Sequence, residues 1–143
     1  MYPDDVSGLL LVDPVAEDFH TRARREQPAL FDSVDAQDQQ RTAAGPAGQR
    51  AEEASWDSSM VQAGQTIAGW RLPTILLSSQ RADLGVLGPT WTDEQRRLAE
   101  RLPNTRFVLV PGVGYAIHRD RPDAVVDAVR ELLLSSPPDN QRL

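Results

Sequence analysis

The sequence predicts an α/β protein with about three parallel strands and flanking helices. Three short apolar runs are bounded by glycine, proline or serine: GLLLVDP at 8–14, LPTILLSS at 72–79 and TRFVLVPG at 105–112. The runs do not alternate with polar residues, which is typical of strands buried on both faces of a parallel sheet. Helix-like segments follow the second and third runs, and this order of strand, helix, strand, helix favours parallel neighbours with right-handed crossovers.

The first strand belongs to residues 1–14, and residues 15–70 are expected to form an insert that resembles a cap or lid. In this insert AEDFHTRARREQ predicts a helix, and AEEASWDSSMVQAGQTIAGW predicts a second helix with Trp56 and Met60 on one face. Between them DSVDAQDQQRTAAGPAGQR is polar, poor in large apolar residues and broken by glycine and proline. We therefore expect residues 32–50 to form a loop or mobile lid.

Residues 71–143 hold the second and third strands, each followed by a helix. In TWTDEQRRLAERLPN, Thr92 and Gln95 predict a capping box at the start of the helix. In RPDAVVDAVRELLLSS, Pro122 suits the first position of a helix. The apolar residues of that helix recur at helical spacing and predict its buried face: Val125, Val129, Leu132 and Leu133.

Composition limits the classes of function. A chain of 143 residues suits one domain, here taken as 1–143, and its net charge of −6 and pI near 4.8 exclude a nucleic-acid partner, because phosphate binding needs a positive surface. The absence of cysteine excludes disulfides, and two histidines disfavour a multi-histidine metal site. Neither a membrane span nor a signal peptide is evident in the sequence, so a soluble cytoplasmic protein is expected, with no membrane partner.

The order of these segments resembles the C-terminal portion of the α/β-hydrolase superfamily, in particular its esterase-like members. YPDDVSGLLLVDP is similar to the sixth strand of that fold with its lead-in, and AEEASWDSSMVQAGQTIAGWRLPTILLSSQRAD to the end of the cap and the seventh strand. LPNTRFVLVPGVGYAIHRDRPDAVVDAVREL is similar to the eighth strand, the histidine loop and the last helix. The resemblance covers most of the chain apart from about residues 27–50, and it implies a Ser-His-Asp hydrolase that needs no cofactor.

The sequence departs from that family at two positions that carry chemistry. The family's nucleophile lies in a G-x-S-x-G turn, and no such motif occurs in this sequence; Ser7, Ser78 and Ser79 lie beside strands but lack the flanking glycines. The family's histidine usually follows G-x-G directly, and that position is Tyr115. A phenol, which ordinarily ionises near pH ~10, cannot serve as a general base near neutrality as an imidazole does.

Three further residues are candidates for the site that the resemblance implies. Asp13 ends the first strand, where some relatives keep the triad acid, and it could instead cap the next segment. Asp83, after the second strand, is the alternative acid. His118 lies three residues beyond the usual base position, either as a displaced base or as a loop histidine bonded to the backbone. His20 carries no assigned role, and the three tryptophans either line a substrate pocket or, as aromatic residues at helical spacing commonly do, belong to the core: Trp56, Trp70 and Trp91.

Two classes of function remain open. In the first, the chain is one part of an ester hydrolase whose nucleophile comes from another segment. In the second, it is a non-catalytic binding or scaffolding domain derived from a hydrolase. In both cases the first strand is expected to be an open edge that pairs with a second copy of the chain or with a separate N-terminal hydrolase half.

Overall fold

A computed structural model of the chain describes residues 6–67 and 69–135. Its centre is a three-stranded parallel sheet of β1 (Leu9–Val12), β2 (Thr74–Ser79) and β3 (Thr105–Val110), in the order β1-β2-β3. All six residues of β2 are buried, because this strand has a partner on each side and a helical layer on each face. The predicted fold class is confirmed.

Alternate residues of β2 point to two separate apolar clusters. Ile75 and Leu77 contribute to a cluster under the last helix, whereas Leu76 belongs to one on the opposite face of the sheet. Continuous apolar sequence is needed for such a strand, since both of its faces are covered. The helices that surround the sheet are α1 (Phe19–Glu26), α2 (Pro28–Ala43), α3 (Ala47–Ala54), α4 (Trp56–Ile67), α5 (Gly88–Arg101), α6 (Ile117–Asp120) and α7 (Pro122–Ser135).

The expected loop at 32–50 is instead mostly helical, in α2 and α3. The helix α2 begins at Pro28 and buries only Phe31, which packs in a cluster with α1. Its remaining residues are largely polar, so it has no amphipathic pattern from which a sequence argument could recognise it. Gly45 and Pro46 interrupt the helices between α2 and α3, as the pattern of helix-breaking residues indicates.

Two helices differ in detail from their predicted forms. The helix α5 begins at Gly88, with Pro89 in its first turn, so Thr92 lies inside the helix and caps nothing. The side-chain amide of Gln95 is fully buried and donates a hydrogen bond to the carbonyl of Pro14, which joins α5 to the end of β1. That tertiary contact replaces the predicted capping box.

The helix α7 begins at Pro122 as predicted, but its buried face is shifted. Ala128 is buried at its centre, and Val125 and Leu132 pack beside it. Val129 and Leu133, which were expected on that face, are exposed. The buried face of α7 is therefore narrower than the spacing of its large apolar residues predicts.

An ion-pair network fixes α1 against α5. The guanidinium of Arg22 donates to Glu26 and Glu94, each at 2.7 Å, and also bonds Asp93. Glu26 in turn accepts a hydrogen bond of 2.7 Å from the hydroxyl of Thr90. The bonds from Arg22 and Thr90 hold the pKa of the Glu26 carboxyl below its usual value. The same network positions α1 near the carboxyl ends of the strands.

Candidate functional site

The carboxyl ends of the three strands meet at a cavity of about 630 Å³. Ligands of open parallel sheets generally bind at this end of the strands. The cavity walls come from the segments after β1, β2 and β3 and from α1, α2 and α4 above them. Of the residues predicted from the sequence, Asp83 and Tyr115 line this cavity.

Asp13 ends β1 as a buried carboxylate that is only 5 % exposed. Its Oδ1 accepts hydrogen bonds from the backbone N–H of Ser79 at 2.9 Å and from the indole N–H of Trp91 at 3.3 Å, and its Oδ2 accepts one from the Ser79 hydroxyl at 2.7 Å. Burial raises the pKa of the Asp13 carboxyl, while these hydrogen bonds and the charge of Arg81 oppose that rise. The carboxylate therefore joins β1 to β2 and α5.

Arg81 is the residue of this site that the sequence patterns did not indicate. Arg81 lies two residues after the end of β2, and its side chain is largely buried. Its guanidinium carbon lies 4.9 Å from the ring centre of Trp91 and 5.2 Å from that of Tyr115. The same guanidinium donates to both carboxylate oxygens of Asp83, at 2.9 to 3.1 Å.

Backbone conformation marks two of these strand ends. In the described residues, three non-glycine residues have a positive φ, and two of them are Asp13, at 50°, and Arg81, at 47°. Side chains other than glycine adopt this left-handed conformation at an energetic cost, and such residues cluster at functional sites. A search for polar residues just beyond each apolar strand run would have found Arg81 together with Asp13.

Asp83, the alternative acid, is half exposed at the cavity wall and is bound by Arg81. The hydrogen bonds from that guanidinium hold the pKa of the Asp83 carboxyl below its usual value, although partial burial opposes the effect. The carboxylate is thus ionised and already paired with a cation. In this arrangement Asp83 orients Arg81, whose rigid, planar guanidinium matches a carboxylate through two parallel bonds.

Tyr115 lines the cavity where the resemblance implies a histidine. The turn that delivers it contains Gly112, whose φ of 72° requires glycine, and the N–H of this residue donates to the side-chain oxygen of Gln80 at 3.2 Å. Tyr115 is 63 % exposed, and the guanidinium of Arg81 lies over the face of its ring. The position at which the resemblance implies a base is therefore occupied by an aromatic residue in contact with a cation.

His118 is exposed on α6 and is not among the residues that line the cavity. The hydrogen bonds to the Asp13 carboxylate come from Ser79 and Trp91 and not from His118. Ser78 and Ser79 are fully buried, and their hydroxyls donate to the carbonyl of Ser79 and to Asp13 respectively. Ser7 is exposed before β1 begins, at the far end of the strand from this site.

His20, to which the sequence assigned no role, lies in the cavity wall. Its ring stacks on Trp56, with centroids 5.7 Å apart and planes inclined by 19°, and it meets the edge of Phe31 at 5.5 Å. These three residues belong to α1, α2 and α4, so the stack joins the helices above the sheet. The contact is non-local, and spacing along the sequence does not indicate it.

The part of the chain that the structure describes contains neither a cluster of potential metal ligands nor a membrane-spanning helix. Over residues 6–67 and 69–135 no group of three or more histidine, cysteine or acidic side chains is placed to hold a metal ion. None of the helices in these ranges is long and apolar enough to cross a membrane.

Comparison with known proteins reveals a likeness in fold. No family model matches the sequence, and no curated protein matches it. A thermophilic esterase from Thermogutta terrifontis, with malate bound, has a similar structure: the TM-score is 0.57, the identity is 20 %, and the match covers 93 % of this chain and 57 % of that one.

Two other solved structures are similar at lower scores. NosK from Streptomyces actuosus gives a TM-score of 0.47 at 20 % identity, over 94 % of this chain and 60 % of that one. An N-acyl homoserine lactone degrading enzyme gives 0.45 at 16 % identity, over 80 % and 45 %. The chain therefore spans less than two thirds of the length of each of these proteins. Its three parallel strands and flanking helices form an α/β fold that partly matches the fold of the Thermogutta terrifontis esterase.

Proposed function

We propose that this chain is an α/β-hydrolase-type domain of ester-hydrolase ancestry that does not hydrolyse esters on its own. The observation that supports this most directly is the position of Arg81. Its guanidinium lies against Tyr115, at the expected base position, and against Trp91, whose indole binds the expected acid Asp13. A cation thus occupies the region in which a serine hydrolase holds an imidazole.

The chemistry of acyl transfer explains why this arrangement disfavours hydrolysis. A serine nucleophile needs a base within hydrogen-bond reach, and that base becomes a cation when it accepts the proton. The charge of Arg81 would oppose a second cation beside it, and Asp13, which would stabilise that cation, already accepts three hydrogen bonds. The residues of the site hold one another in place, which suits binding better than proton transfer.

Hydrolysis of a small activated ester such as 4-nitrophenyl acetate tests the proposal. The unmodified chain should show no turnover above the spontaneous hydrolysis of the ester in the same buffer. Tyr115→His alone should also be inactive, because Arg81 remains beside the new imidazole. Steady turnover by the unmodified chain that is lost in His118→Ala would overturn the proposal and identify His118 as the base.

A second candidate function is supported by the edge of β1. This strand pairs with β2 alone, all four of its residues are half-buried, and no described strand covers its other edge. Beside it, a groove of about 210 Å³ runs between the start of β1 and the exposed side chains of Val129 and Leu133 on α7. In this candidate function, a strand from another hydrolase segment pairs with β1 and supplies the missing nucleophile, or a second copy of the chain pairs there in its place.

Light scattering tests this association. We expect a mass above the 15.8 kDa of one chain, and a decrease to 15.8 kDa in Leu133→Lys, because Leu133 is 68 % exposed and adjoins the groove. Val86→Lys is the matched control, since it adds the same charge at an exposed valine outside the groove. A monomeric unmodified chain would exclude pairing between two copies. Pairing with another hydrolase segment would then remain, and it requires ester turnover when an N-terminal hydrolase half is added. Absence of turnover in that mixture would contradict the second candidate as well.

A further inference from the structure

We propose that the cavity at the strand ends binds an uncharged aromatic small molecule. This inference rests on the proposed function in one respect, because it takes the cavity to be a binding site in which no bond is broken. It goes beyond that function by assigning the class of ligand. Three properties of the cavity support the assignment: its size, its aromatic walls and the pairing of every charged side chain that lines it.

The aromatic walls come from both layers around the cavity. His20 and Trp56 form a parallel stack in the upper helices, with Phe31 against the edge of His20. Phe19 meets Trp91 edge-on, with ring centroids 5.0 Å apart. All of these rings line the cavity. Aromatic rings prefer stacked or edge-on partners at centroid distances of about 4.5–7 Å, so a planar ligand would extend contacts that the walls already make.

The volume suits one small molecule. At about 630 Å³ the cavity lies within the range of roughly 300–1,000 Å³ that is typical of ligand pockets. Its walls also include Val15, Leu84 and Leu87, which add apolar surface around the rings. A ligand with one aromatic ring and a short substituent would therefore remove apolar surface from water, and that removal is the main source of affinity in such a site.

Cationic ligands are disfavoured because guanidinium groups already occupy aromatic faces of the cavity. Arg24 lies 4.9 Å from the ring centre of Phe31, and Arg81 lies over both Trp91 and Tyr115. At Phe31, Trp91 and Tyr115 a ligand cation would have to displace one of these side chains or approach it closely. Both outcomes cost electrostatic energy that an uncharged ring avoids.

Anionic ligands are disfavoured because the arginines at the cavity are already bound to carboxylates. Arg81 pairs with Asp83 at 2.9 Å and Arg41 with Asp38 at 2.8 Å, and all four residues line the cavity. The third lining carboxylate, Asp35, accepts a bond of 3.3 Å from Arg24. An anion at the remaining N–H groups of either guanidinium would lie close to the carboxylate already bound there, and the two like charges would repel each other.

Neutral polar groups of the lining indicate what the substituent of the ligand would be. Gln37 contributes an amide and Thr42 a hydroxyl to the cavity. Both groups donate and accept hydrogen bonds without carrying a charge. An aromatic amide, ester or phenol matches this combination of rings and neutral polar groups.

Calorimetric titration with three probes that share one ring tests the inference: N-methylbenzamide, benzoate and benzylamine. We expect the amide to bind at least tenfold more tightly than either charged probe at pH 7. Trp56→Ala should weaken amide binding at least tenfold, whereas Val61→Ala, on the same helix but outside the cavity, should leave it unchanged. If Trp56→Ala does not fold, Leu84→Trp, which fills part of the cavity, should weaken binding to the same extent.

Equal or tighter binding of benzoate or benzylamine would overturn the assignment, as would the absence of amide binding at millimolar concentration. If the amide still binds to both Trp56→Ala and Leu84→Trp, the ligand lies outside the cavity, and the inference is overturned as well. The probe is an amide that resists hydrolysis, so its binding is measured independently of any turnover. Hydrolysis of 4-nitrophenyl acetate would therefore contradict the proposed function while leaving the binding result to decide this inference.

Discussion

Replacement of Asp13 separates the two roles of its carboxylate, as an acceptor of hydrogen bonds and as a buried charge. Asp13→Ala removes both, whereas Asp13→Asn keeps an oxygen for the Ser79 N–H and the Trp91 indole. In the asparagine variant the Ser79 hydroxyl can rotate to accept from the new amide. Asparagine also adopts the left-handed backbone conformation of this position, where φ is 50°, more readily than most residues.

The magnitude follows from the partners that lose their acceptor. Asp13→Ala leaves the N–H of Ser79 and the indole N–H of Trp91 buried without a partner, and each such group costs about 1–3 kcal/mol. Removal of the buried Asp13 charge is favourable and offsets part of this cost. We therefore expect Asp13→Ala to lower the free energy of unfolding by about 2–4 kcal/mol, and Asp13→Asn to change it by less than about 1 kcal/mol.

The pH dependence gives the second part of the prediction. Burial raises the pKa of folded Asp13 above its usual 3.8, so the folded chain binds a proton at this carboxyl more tightly than the unfolded chain does. The wild-type chain should therefore gain stability, relative to Asp13→Asn, as the pH falls through the pKa of folded Asp13. The difference between the two proteins isolates Asp13 from carboxyls such as Asp93, whose pKa is lowered and whose contribution is lost on acidification.

Urea unfolding followed by far-ultraviolet circular dichroism, at pH 7 and at lower pH values, measures both effects. Equal losses of stability in the alanine and asparagine variants would refute the hydrogen-bond argument. A stability difference between wild type and Asp13→Asn that stays constant with pH would refute the argument from burial.

Three other substitutions have outcomes that thermal and urea unfolding can check. Leu76→Ala should cost about 2–5 kcal/mol, because Leu76 is fully buried in the central strand, and a loss below 1 kcal/mol would show that the site collapses around the gap. Gly88→Ala should destabilise by about 1–3 kcal/mol, since its Cβ would lie 3.1 Å from the carbonyl oxygens of Gln80 and Arg81. An unchanged melting temperature would mean that the backbone at Gln80 and Arg81 moves aside without cost. Gly48→Ala should stabilise by about 0.5–1 kcal/mol, because a Cβ there meets nothing within 4 Å in a helix, and a lower melting temperature would contradict that helix.

The strands and the last helix were predictable from the sequence because their signals are local. Each strand is a continuous apolar run, which a strand covered on both faces requires, and Pro122 marks the start of α7. The helix α2 was missed because only Phe31 of its residues is buried, so its stability depends on contact with α1 and not on its own pattern. Sequence periodicity cannot report a contact of that kind.

The candidate site was predictable only in part. Asp13 and Asp83 were proposed because each follows a strand, and Tyr115 because it stands where the resemblance implies the histidine. The structure puts all three after the carboxyl ends of the strands. Arg81, whose guanidinium binds Asp83 and lies over Trp91 and Tyr115, was missed because the two aromatic residues are distant in sequence and meet it only through the fold. His118 was a candidate by proximity along the chain, but α6 places it on the surface.

The unequal lengths of the two strand crossovers have a consequence for the order of folding. The segment that joins β1 to β2 spans residues 13–73, more than twice the length of the segment at 80–104 that joins β2 to β3. Each doubling of a loop adds roughly 0.6 kcal/mol to the entropic cost of closing it, and long-range pairing of parallel strands is slow. Pulse-labelled amide exchange should therefore show protection of β2 and β3 before β1, and simultaneous protection would contradict this order. During synthesis β1 is also made before β2, so the edge by which β1 pairs with β2 stays unpaired until residues 13–79 have been added to the chain.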